Sequence, residues 1–307
     1  MKKKLIIVPA LIAINLISVV SADTELKWES KNKNIKGQIF GRINIQSGFA
    51  DTDDNANTIT TNSDYLYYRR IRLGASGQIG SVSFKIEPDF APYMETVLDG
   101  NIDFKDVWIG YQFKMNDIKH KFIVGNDQVP CGLEVQNSSR FTNHIERHGT
   151  LSSWCQGERS KGYRLLSSGK NWTTHLSYSV GEGQNSDIDL THGTYGVRAT
   201  YSPLAFNKKE KQWLHTGFMW GYNKVDGGDN DWGSSSTDAS RFISSGPRLN
   251  ILKTGEHKDA TRYGIELAFG QGPLDVQYER MWMSVDGCGG DALTGGSCGN
   301  AATKYDF

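Results

Sequence analysis

From residue 35 to residue 49 the chain alternates in character. Ile35, Gly37, Ile39, Gly41, Ile43, Ile45 and Phe49 fall on one parity, and Lys36, Gln38, Arg42, Asn44 and Gln46 on the other. Side chains on a strand point to opposite faces with period 2, so this segment has one apolar face and one wet, partly cationic face. Repeated around a closed sheet, such alternation turns apolar residues to lipid and polar residues to a lumen. Later segments, most of them patterned the same way, are joined by connections that are short and long in turn. Outer-membrane barrels have this asymmetry, with short turns at one end and long loops at the other. A soluble β-sandwich also has alternating strands, but nothing in it demands that order of connections. Tyr65, Tyr67 and Tyr68, and again Trp213, Trp220 and Tyr222, sit where interfacial girdle aromatics belong.

The pattern predicts strands over 35–49, 65–79, 81–90, 105–113, 120–125, 161–167, 171–180, 193–201, 212–225, 262–269 and 274–285, with a twelfth beginning near Tyr305. The fold class is therefore all-β, an antiparallel transmembrane β-barrel. Single-chain bacterial barrels have even strand counts. Eleven strands and a stub ending in Phe307 lead to the expectation that the barrel domain, 23–307, is C-terminally truncated.

The first 22 residues have the features of a cleavable signal peptide. Lys2, Lys3 and Lys4 precede an apolar run from Leu5 to Val20, and Val20-Ser21-Ala22 fits a cleavage site before Asp23. That run is short for a membrane-spanning helix, and none follows it. Without the signal, 31 basic and 34 acidic residues remain, a net of −3 that argues against a nucleic-acid partner. Any preference for anions must come from where charges sit. Export also sets the redox state of Cys131, Cys155, Cys288 and Cys298. The expected disulfides are Cys131–Cys155 and Cys288–Cys298, each bracketing a long connection; a zinc site is disfavoured, because no CxxC is present. No cofactor is expected.

Parity assigns Lys36 and Arg42, Arg70 and Arg72, Lys85 and Arg198 to the lumen as an anion pathway. A lipid-facing arginine near the midplane costs about 2–4 kcal/mol, which favours that placement. Two guanidiniums on one face can pass a phosphate from one fork to the next. The alternative is that these cations pair with acids such as Glu87, Asp89 or Glu266 and only stiffen the wall. Histidines 144, 148 and 175 have no nucleophile at a recognisable spacing, so an enzyme is not indicated. The Gly/Asp-rich stretch 226–235 is the one hint of a surface adhesin.

Several stretches resemble the phosphate-selective porin O and P family: Gly41-Arg42-Ile43, Tyr68 to Gly74 (YRRIRLG), Asp106 to Tyr111 (DVWIGY) and Val124 to Pro130 (VGNDQVP) with Gly132-Leu133-Glu134. Ser138-Ser139-Arg140, Glu146-Arg147, Arg262 to Glu266 (RYGIE) and Gln277 to Arg280 (QYER) continue the likeness, which covers about 35–286. The resemblance implies a trimeric sixteen-stranded porin of the bacterial outer membrane, passing small anions such as phosphate or polyphosphate. Its partners would be membrane lipid and lipopolysaccharide. It also implies that the connection 126–160 folds into the lumen as a constriction loop, with Arg140, Arg147, Arg159, Glu134 and Glu146 as its charged residues. Cys131 stands where the family pattern leads one to expect an aromatic, which points to a locally different loop. The competing expectation is a general or sugar-conducting porin without phosphate selectivity.

Overall fold

A computed structural model describes residues 18–31, 34–50, 63–91, 102–138, 155, 159–180, 193–207, 212–224, 257–287 and 303–306. The strands are β1 (Ser18–Glu29), β2 (Ile35–Ala50), β3 (Ser63–Ile79), β4 (Val82–Asp89), β5 (Asp103–Met115), β6 (Ile118–Gln128) and β7 (Arg159–Ser168). They continue as β8 (Trp172–Val180), β9 (Gly193–Asn207), β10 (Gln212–Lys224), β11 (His257–Gln271), β12 (Leu274–Gly287) and β13 (Thr303–Asp306). One helical turn, α1 (Leu133–Gln136), lies between β6 and β7. Each strand pairs antiparallel with the next, in chain order from β1 to β13, and among the described residues β1 and β13 are the sheet's two edges.

The short turns have the backbone that their residues allow. Asn116 and Asp117 link β5 to β6 with φ of 49° and 64°, the double left-handed conformation that hairpins of this length prefer. Every strand expected from the alternation is present, and β1 is additional. In β1, Leu26 and Trp28 alternate with Glu25, Lys27 and Glu29, too short a run to stand out beside the apolar stretch before it. It pairs with β2 from Ser18↔Ser47 to Glu29↔Lys36, so the expected cleavage point after Ala22 falls inside it.

Burial separates the two faces. Ile39, Ile43, Leu73, Phe84, Ile109, Tyr111 and Ile265 are 41–57% exposed, whereas Arg42, Asn44, Glu87, Asp106, Arg164 and Glu266 are at most 8% exposed. A face of large apolar side chains turned outward while charges are buried inverts the usual globular arrangement. It is stable where the outside is hydrocarbon. On the outer face Trp220 lies opposite Tyr263, and Tyr263 opposite Trp282, forming a continuous aromatic row toward the long-connection end. Trp213 departs from the expected girdle: it lies against Gly270, on the parity of Glu266 and Ala268.

Three irregularities set the inward face. In β3, Arg69 is an extra residue between the pairs Ile45↔Tyr68 and Asn44↔Arg70, so Tyr68 and Arg70 face opposite sides although two residues apart. In β5, Lys105 is an extra residue between Pro88↔Phe104 and Glu87↔Asp106. Between β6 and β7, Gly125 (φ 133°) stands opposite Gly162 (φ 154°). A Cβ at Gly125 would lie 2.2 Å from the Val107 carbonyl oxygen, and one at Gly162 2.1 Å from that of Tyr178. Only glycine fits this crease.

Candidate functional site

The inward wall begins with a basic patch. Arg42 on β2 stands opposite Arg72 on β3, and Asn44 opposite Arg70. Directly opposed like charges destabilise a sheet unless others compensate. Arg42 donates from Nε to Asn44 Oδ1 at 2.7 Å. Arg72 donates from Nε to Asp89 Oδ2 at 2.8 Å and from Nη1 to Glu87 Oε1 at 3.3 Å, both acceptors being on β4. The Ile71 N–H donates to the other oxygen of Asp89 at 3.1 Å, fixing the carboxylate. The next tier is acidic at its centre: Asp106 on β5 accepts from Lys85 Nζ and, at 2.8 Å, from Arg159 Nε. Lys85 also meets Glu87 at 2.7 Å.

Farther round, Arg164 on β7 is buried and holds the wall together rather than facing an open space. Its guanidinium donates to the carbonyls of Ser160, Tyr163 and Tyr178 at 2.9–3.2 Å and to Ser160 Oγ at 3.0 Å. On β9, Arg198 forms a two-pronged pair with Glu266 of β11 at 2.8 and 3.0 Å. The glycine between them makes this reach possible, since a Cβ at Gly217 would lie 2.1 Å from Glu266 Oε1.

A segment of chain crosses this interior. After β6 the chain leaves the wall, and Val129, Pro130, Cys131, Gly132 and Val135 are all buried. Two reciprocal bonds fold it on itself: Gln128 Nε2 donates to the Val135 carbonyl, and Gln136 Nε2 to that of Val129. A disulfide joins Cys131 to Cys155, as expected, with the Cα atoms 5.9 Å apart. Pro130 rests on Gly196 of β9, where a Cβ would come within 2.6 Å of its Cγ. Glu134 donates its backbone N–H to Glu279 Oε2 of β12 at 3.0 Å, 145 residues away. One segment can touch strands β6, β9 and β12 only if the sheet curls around it.

Of the expected pathway cations, Arg42, Arg70, Arg72, Lys85 and Arg198 share the inward face. Lys36 lies at its rim, half exposed and 3.1 Å from Glu29. Arg72, Lys85 and Arg198 are paired with acids, as the wall-stiffening alternative had it. Of the expected loop charges, Glu134 lies in α1, while Arg159 begins β7 and belongs to the wall, because β7 extends two residues farther than its alternation suggests. Arg140, Arg147, Glu146, Cys288 and Cys298 lie outside the described residues. Asp106 and Glu279 were not foreseen, although parity with the outward Val107 and Tyr278 turns both inward.

A curled antiparallel sheet with an apolar exterior, a charged interior and a segment folded across it defines an outer-membrane porin. The chain belongs to the phosphate-selective porin O and P family, whose model matches residues 41–305. Membership implies a channel of the bacterial outer membrane rather than an enzyme. No match to a curated protein was found.

Proposed function

We propose that this porin passes small anions, phosphate and polyphosphate among them, by passive diffusion. The observation that carries the reading is the basic patch of Arg42, Arg70 and Arg72, three guanidiniums on neighbouring inward positions of β2 and β3. Charge set along a low-dielectric channel focuses its field on a passing ion, and planar forks suit phosphate oxygens. The segment 129–136 narrows the path past this wall. Residues 1–22 serve as the export signal, leaving Asp23–Glu29 to pair with β2. The channel works as a homotrimer embedded in lipid and lipopolysaccharide.

One observation favours a second reading. The pairing of Arg72, Lys85 and Arg198 with Glu87, Asp89, Asp106 and Glu266 cancels much of the wall's positive charge, which suits a general or sugar-conducting porin. The reversal potential of the native protein in a planar bilayer under a KCl gradient separates the two. A chloride-favouring potential, with current blocked by millimolar phosphate, is expected. A neutral or cation-favouring potential without block would replace the anion reading by the general porin.

A further inference from the structure

We propose that Glu279 is the positioning residue of the constriction. Its carboxylate latches the inward segment to β12 and, with the Cys131–Cys155 disulfide, fixes the width of the lumen. This rests on the pore reading above. The segment is tied at its origin by its own fold, through the Gln128–Val135 and Gln136–Val129 bonds and the disulfide. None of these ties reaches the far wall. Among the described residues, the far contacts are Pro130 on Gly196 and the Glu134 N–H on Glu279. The first is a van der Waals contact with a side chain's edge, whereas the second is a directed hydrogen bond to a carboxyl oxygen.

The approach around Glu279 is close. A Cβ at Gly132 would lie 1.4 Å from Glu279 Oε1, so the carboxylate occupies the space that any other residue at 132 would fill. Glu279 itself is aimed inward by the strand: Tyr278 beside it is outward and exposed, and Met281 two residues on is fully buried. Among the described residues its Oε1 is buried without a hydrogen-bond partner, and the side chain's one direct bond is the one to the segment. Among the described residues, an inward acid with no cation as its hydrogen-bond partner differs from Glu87, Asp89, Asp106 and Glu266, each of which takes an arginine or lysine. The acids of the wall hold the wall; Glu279 holds the segment.

The disulfide supplies a reporter that does not depend on conduction. Cys131 and Cys155 are both 0% exposed, so a reductant reaches the bond only when the segment opens. Its reduction rate then tracks the population of the open form when closing is fast. Leaving the Glu134 N–H without its acceptor shifts such an equilibrium by roughly five- to a hundredfold. The experiment compares the full-length protein with E279A and E279Q, folded in lipid vesicles. It measures the rate at which tris(2-carboxyethyl)phosphine reduces Cys131–Cys155, and single-channel KCl conductance before and after reduction.

E279A is expected to be reduced at least about fivefold faster and, once reduced, to conduct more than reduced wild type. E279Q, whose amide oxygen still accepts the Glu134 N–H, is expected to stay within about threefold of wild type. Equal reduction rates for E279A and wild type would overturn the latch. Faster reduction with unchanged conductance would overturn its control of pore width. A wild type that carries no current, with E279A still reduced faster, would remove the pore reading and leave the latch standing.

Discussion

Asp106 on the inward wall takes two cations, Lys85 and Arg159, and replacing it by Asn tests whether fixed charge there acts on permeating ions. Asn keeps the shape and one acceptor oxygen but removes the negative charge that Lys85 and Arg159 share. Lys85 retains Glu87 at 2.7 Å. Weakening one buried charge-assisted bond costs about 1.5–3 kcal/mol, within what a barrel tolerates. The effect on ions follows from Coulomb's law. A unit charge about 6 Å from a monovalent ion in a water-like dielectric is worth about 0.7 kcal/mol. It acts with opposite sign on anion and cation, so the permeability ratio moves toward anions by up to about tenfold at low salt. The gain shrinks as the Debye length falls to about 3 Å at 1 M salt. The assay is the reversal potential under a KCl gradient at two mean concentrations, with wild type alongside. A potential unchanged by D106N, or a shift that does not weaken with salt, would refute the idea that this wall acts on ions through its charge.

Two further outcomes are expected. Replacing the outward Ile109 by Arg, mid-strand and 57% exposed, costs about 2–4 kcal/mol in a bilayer, read as a lower urea midpoint for unfolding from vesicles; an unchanged midpoint would show that this face does not meet lipid. Arg198→Met leaves Glu266 buried without its two-pronged partner and costs about 3–5 kcal/mol in the same assay, whereas the double change Arg198→Met with Glu266→Leu recovers most of that; equal losses in the single and double variants would deny the pair its structural role.

The alternation of 35–49 was enough to place Arg42 inward, because a period of 2 needs only one strand to be legible. It also carried Lys85 and Arg198, whose strands are regular around them. Arg70 and Arg72 also lie on the inward face, but the bulge at Arg69, which sends Tyr68 to the outer face, has no signature in composition. Partners were harder to foresee than faces. That Arg72 meets Asp89 depends on the register between β3 and β4, and that Arg198 meets Glu266 depends on a glycine on the strand between them. The disulfide within the inward segment followed from export and from the loop it brackets. The landing of that segment on Gly196 and Glu279 could not be read at all: no local pattern links residue 134 to residue 279, and only the curl of the sheet brings them together. β1 escaped notice for the opposite reason, since its alternation from Glu25 to Glu29 adjoins a stronger apolar signal.

The facing glycines of β6 and β7 limit how this chain can vary. Gly125 and Gly162 are each obstructed by a backbone carbonyl rather than by one another. No compensating change at one position therefore relieves a larger residue at the other, and no two-step mutational route replaces the pair. Nor is the inward segment free to vary between the two strands, since Gly132 is barred from any larger residue by the Glu279 carboxylate. For anyone recutting this channel to take another solute, the crease marks where the graft should begin and end.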